Sequence, residues 1–93
     1  MAQIIWSPQA LDDVDAIREF IEKDSPQYAE IFVTGVFDAV ERVMKFSNSG
    51  RIVPEFGNAK VREIFFGSYR IIYRVKAKEV EILTVYHGAR KLT

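Results

Sequence analysis

No cysteine occurs anywhere in the 93 residues, which excludes disulfides and thiolate chemistry and fits a reducing compartment. Histidine occurs once, so a zinc site of the usual kind cannot be built. There is no glycine-rich phosphate loop and no nucleophile elbow. We therefore expect neither a metal nor a cofactor. No uncharged apolar run approaches membrane-spanning length. The opening Met-Ala-Gln-Ile-Ile-Trp-Ser-Pro has no basic n-region followed by an apolar h-region, so the expectation is a soluble cytoplasmic protein. Net charge is also missing, at a formal value of zero.

That zero conceals a separation. Residues 1–49 carry −5 and residues 50–93 carry +5. Either this is ordinary solvated surface, or the basic half presents a face to an anionic partner. Hydrophobic residues make up 48% and aromatics 13%, which suffices for one core and argues against disorder. No linker, repeat or low-complexity tract interrupts the chain, so residues 1–93 read as a single domain.

The stretch from Val61 to His87 holds three β-rich runs separated by Gly67-Ser68 and by the Lys76 to Glu79 region. Gly67-Ser68 fits a type II′ turn, with glycine at the position that needs positive φ. This predicts an antiparallel meander with Phe66 opposite Tyr69, Phe65 opposite Arg70 and Glu63 opposite Ile72. Across the second connection, Val75 is expected to face Val80, Arg74 to face Glu81, and Arg70 to face Val85. Alternation then sorts the side chains. One face takes Ile64, Phe66, Tyr69, Ile71, Tyr73, Val75, Val80, Ile82 and Tyr86. The other takes Glu63, Phe65, Arg70, Ile72, Arg74, Glu81, Leu83, Val85 and His87.

Before the meander, Gln3 to Trp6 is a short β-type run. Ser7-Pro8 and Ser25-Pro26 each supply an N-cap followed by proline at the first helical position. Leu11, Val14, Ile17, Phe20 and Ile21 recur at helical spacing in the first helix, and its early aspartates suit the positive end of the helix dipole. Ala29, Phe32, Val33, Val36, Phe37, Val40, Val43 and Met44 do so in the second. Residues 51–60, with Pro54, Gly57 and Asn58, read as a loop. The order β-α-α-β-β-β predicts an α+β fold, a helical hairpin packed on a mostly antiparallel sheet.

Taken singly, the chemically capable residues have ordinary structural readings. Arg74 opposite Glu81 is a cross-strand ion pair, and a lone histidine is weak ground for catalysis. Together, Glu55, Arg70 and His87 are the residue types needed to cleave RNA through its 2′-hydroxyl. One acts as base, one as a cation at the phosphorane, and one as acid for the leaving oxygen.

Gly50 to Glu55, Val61 to Ile64, Tyr69 to Val75 and Ile82 to Arg90, together with Trp6-Ser7-Pro8 and Ala10, resemble the RelE/ParE superfamily of toxins from type II toxin–antitoxin modules. The resemblance covers nearly the whole chain. It implies one of two activities. RelE-type members cut mRNA on the ribosome, and ParE-type members inhibit DNA gyrase without a hydrolytic site. Glu55, Arg70 and His87 match the glutamate, arginine and histidine of one branch of the nucleases. The basic loop lysines and the tyrosine-bearing C-terminal helix of RelE itself are missing here.

The resemblance implies a cognate antitoxin as partner, with ribosome-bound mRNA or gyrase as target, and the ribosome-dependent endoribonuclease is the first expectation. A binding module without toxicity is the third. Arg51, Lys60, Arg62, Arg74 and Arg90 are the expected target-binding cations. Phe65, Ile72, Leu83 and Val85 form an expected apolar patch among cations, suited to an apolar and acidic antitoxin segment.

Overall fold

The computed structural model describes residues 3–88. The chain runs β1 (Gln3–Trp6), α1 (Pro8–Glu22), α2 (Pro26–Lys45), β2 (Arg51–Ile52), β3 (Val61–Phe66), β4 (Tyr69–Val75) and β5 (Glu79–His87). These form a five-stranded sheet in the order β1-β5-β4-β3-β2. β1 pairs with β5 in parallel, and every other pairing is antiparallel. The two-residue β2 lies in the stretch expected to be loop.

The helix starts follow their caps. Ser7 Oγ accepts from Ala10 N at 3.0 Å and Ser25 Oγ from Tyr28 N at 3.1 Å, each with proline next. α2 buries Ala29, Phe32, Val36, Ala39, Val40 and Val43, one stripe at helical spacing. From Phe32 onward that stripe, with Ala10 and Val14 of α1, packs on Ile71, Tyr73, Val80, Ile82 and Val85. The expected stripes were too wide. Leu11 and Phe20 are exposed, Phe20 by 69%, because the sheet covers only the inner side of α1.

The β3–β4 hairpin has the expected register, with Phe66 opposite Tyr69. Gly67 takes a φ of 56° and Ser68 does not go positive, as a type II′ turn requires. β5 begins as expected, Val75 opposite Val80 and Arg74 opposite Glu81, and then departs. Tyr73 pairs with Ile82 while Ile72 pairs with Thr84, so Leu83 is an extra residue, a β-bulge. Beyond it every side chain changes face. Arg70 lies opposite Tyr86, not Val85. Val85 enters the main core and Tyr86 joins the opposite face.

The bulge is held from the helical layer. Asp13 Oδ2 accepts from Val85 N at 3.1 Å and from the Thr84 hydroxyl. Ser7 Oγ donates to the Leu83 carbonyl at 2.9 Å. Asp13 therefore serves the sheet; no acidic residue falls in the first turn of α1, where the dipole would favour one.

The second departure is the loop after β2, which folds back over the outer sheet face. Val53 is fully buried there with Val61, Ile72 and Tyr86. Arg62 ties the end of this loop to the segment before β2, donating to Ala59 O at 3.1 Å, Asn48 O at 3.0 Å and Gly50 O at 2.9 Å. The Tyr73 hydroxyl accepts from Gly50 N at 3.0 Å and donates to Ser47 O at 2.9 Å. Burial raises the Tyr73 pKa, although the Gly50 hydrogen bond opposes this.

Candidate functional site

On the outer face, under the edge of that loop, four charged side chains meet. Glu63 is 1% exposed and Arg70 is 7% exposed, the two charged residues in the buried set. Arg70 grips one oxygen of Glu63 through Nε at 3.0 Å and also through Nη2. Arg51, mostly exposed, donates to the other oxygen from Nε at 3.1 Å and Nη2 at 2.5 Å. The remaining arm of Arg70, Nη1, reaches Glu55 Oε2 at 3.4 Å. The guanidinium carbon of Arg70 stands 5.2 Å from the centroid of the Tyr86 ring, a cation–π approach.

Register explains the grouping. Glu63 and Arg70 occupy neighbouring strands on one face, and Arg51 of β2 lies directly opposite Glu63. Burying a carboxylate costs several kcal/mol unless partners replace its water. Two guanidiniums do so here. Burial opposes the charge on Arg70, but the hydrogen bonds it donates to Glu63 and Glu55 outweigh this and raise its pKa. Glu55 is shifted down, first by a backbone hydrogen bond within its own residue and then by Arg70. It is thus a stable anion and a weak base.

The expected catalytic residues are divided. Glu55 and Arg70 are in contact, but His87 is on the other side of the sheet, with its ring 5.5 Å from that of Tyr69. The expected shared face of Arg70 and His87 does not exist, because the bulge at Leu83 moves the histidine across.

Among the expected cations, Lys60 and Arg74 are exposed and Arg51 combines exposure with its bond to Glu63. Arg62 is occupied with loop carbonyls, and Arg90 lies outside the described residues. Arg74 is in register with Glu81, but the carboxylate of Glu81 pairs with Lys76 at 3.2 Å. Of the apolar patch, Phe65 is 50% exposed and Leu83 is half-buried. Ile72 and Val85 are buried, in two different clusters, and are not surface residues.

Sequence reasoning placed Glu63 on the right face without giving it a role. A carboxylate one diagonal step from Arg70 was the available signal. Tyr86 was missed because of the bulge. Among the described residues no group of three or more His, Asp or Glu is arranged to hold a metal ion.

The family model for the ParE toxin of the type II toxin–antitoxin system parDE matches residues 4–92. The chain belongs to the ParE toxin family. Toxin RelE2 of Caulobacter vibrioides is 32% identical over 91 residues, covering 97% of this chain and 99% of that protein. The putative toxin Y4kP of Sinorhizobium fredii is 38% identical over 89 residues, covering 92% and 88% respectively. A chain of the chromosomal ParDE toxin–antitoxin system from P. aeruginosa superposes with a TM-score of 0.77 at 26% identity, covering 94% of this toxin and 96% of that chain. The RelBE2 toxin–antitoxin complex from Mycobacterium tuberculosis gives 0.57 at 20% identity, covering 92% and 96%, a likeness of fold. The helical hairpin on a mostly antiparallel sheet is thus the fold of this toxin family.

Proposed function

We propose that this toxin acts by binding its target rather than by cleaving RNA, as a ParE-like inhibitor of DNA gyrase. It would be neutralised by a cognate antitoxin, as the toxin–antitoxin systems of its structural neighbours lead us to expect. One observation carries the reading: the three groups that cleavage requires do not converge. Arg70 is buried with its guanidinium taken by Glu63 and Glu55. His87 faces the opposite side of the sheet against Tyr69. A phosphorane formed beside Arg70 would meet a cation already neutralised and an acid out of reach. Such a toxin exerts its effect through a surface, and its groups need no catalytic alignment.

The test is a gyrase supercoiling assay with purified toxin. Inhibition, or trapped cleaved DNA, is the expected result, and normal supercoiling at high toxin concentration would reject the proposal. The ribosome-dependent endoribonuclease is the second reading, favoured by the contact between Glu55 and Arg70. It requires new 5′ ends on translated messages in poisoned cells, read by primer extension.

A further inference from the structure

Phe20 stands in the last turn of α1 and stays 69% exposed, while its neighbours Ile17 and Ile21 pack against the core. A hollow of about 420 Å³ opens beside it. Ala16, Ile17 and Phe20 of α1 form one wall, and Tyr69, Val85 and His87 at the end of the sheet form the other. The bulge at Leu83 supplies part of the second wall, because it turns Val85 and His87 to the helical side. An apolar recess with an exposed aromatic ring at its lip, carried on a helix, is the kind of place where a protein partner anchors.

The charge around the recess is of one sign. α1 carries five Asp and Glu side chains against a single cation, Arg18. Arg18 is already ringed by Asp15 at 2.8 Å, Glu22 at 2.5 Å and Glu19 at 3.7 Å. Asp12, Ala16 and Phe20 recur at i, i+4 and i+8, so they lie along one face of the helix, with Glu19 beside Ala16. Asp12 pairs with no cation among the described residues. Such a flank repels nucleic acid and favours a basic protein surface. An enzyme that holds DNA must carry basic surfaces, since lysine and arginine neutralise the phosphates.

We propose that the α1 recess is where this toxin grips gyrase. An apolar side chain of gyrase enters beside Phe20, and lysines or arginines around it meet Asp12 and Glu19. This rests on the gyrase reading and assigns it a site. The site needs neither Arg70 nor Glu55, and it makes His87 a wall of a binding recess with no proton to move.

Phe20→Ser removes the anchor, and Phe46→Ser, at the end of α2, removes a ring that is also 69% exposed. In the supercoiling assay the Phe20 variant should need about tenfold or more toxin for half-inhibition, and the Phe46 variant should match the unsubstituted toxin. Asp12→Lys with Glu19→Lys should weaken binding to purified gyrase, by a factor that shrinks as salt rises. Thermal melts check that each variant folds, and if Phe20→Ser does not, the charge-reversed pair carries the test. Full inhibition by Phe20→Ser, an equal loss in Phe46→Ser, or unchanged binding by the charge-reversed pair overturns the site and leaves the gyrase reading standing. So does a Phe20→Ser toxin that loses affinity for its antitoxin but still inhibits gyrase, since the recess would then belong to the antitoxin. Failure of the unsubstituted toxin to inhibit supercoiling overturns the gyrase reading itself.

Discussion

Arg70 was expected to sit off the core, where alanine would remove function and spare the fold. It is instead the main counter-charge of a buried carboxylate. Arg70→Ala would leave Glu63 buried with Arg51 as its remaining partner. Breaking such a pair costs about 3–5 kcal/mol, because the orphaned charge keeps its desolvation penalty. Urea unfolding should show that loss. Replacing both residues with apolar ones of similar volume, Arg70→Met with Glu63→Leu, should recover most of it. A single alanine at Arg70 therefore cannot separate a catalytic from a structural role. The hairpin register alone puts Glu63 and Arg70 on one face. What it could not show was the loop, which turns an exposed sheet surface into a buried one and changes a diagonal pair of charges into a sealed one.

Among the elements, β3 and β4 were legible to the residue, since a two-residue turn leaves no freedom of register. β5 was legible only to Ile82. Leu83-Thr84-Val85-Tyr86 alternates well enough in either phase, with an apolar residue available for the core both ways. Alternation cannot reveal a bulge when both phases satisfy it. The signal lay in polar residues, Thr84 inside a strand and Asp13 inside a helix, which meet at the bulge. This gives a prediction for the element. Asp13→Ala strands the Val85 N–H and the half-buried Thr84 hydroxyl, at a cost of about 1–3 kcal/mol, toward the lower end because the site is only partly buried. Asp13→Asn retains an acceptor and should fall between. Chemical denaturation reads the stability, and faster hydrogen exchange at Val85 reads the location. A stable Asp13→Ala protein with a protected Val85 amide would mean that the bulge holds without the helix.

At the scale of the molecule, the charge separation between the two halves of the sequence becomes a separation of layers, acidic helices behind a sheet richer in cations. The sheet cations are nonetheless largely engaged: Arg51 and Arg70 with carboxylates and Arg62 with carbonyls. That engagement makes Glu55→Gln the most discriminating substitution. The change is nearly isosteric, Glu55 is on the surface side of the cluster, and Arg70 keeps both bonds to Glu63. Stability should be little changed, as for an exposed ion pair. If the toxin works through a binding surface, the Gln variant should remain toxic and still inhibit supercoiling, because no proton transfer is asked of residue 55. If Glu55 is the base of a nuclease, the amide cannot accept the proton. Cleavage should then fall by about a hundredfold or more while the fold persists. Growth inhibition on induction, scored beside a thermal melt of the same variant, separates the two. A folded Glu55→Gln protein that no longer arrests growth would sink the gyrase reading and restore the endoribonuclease.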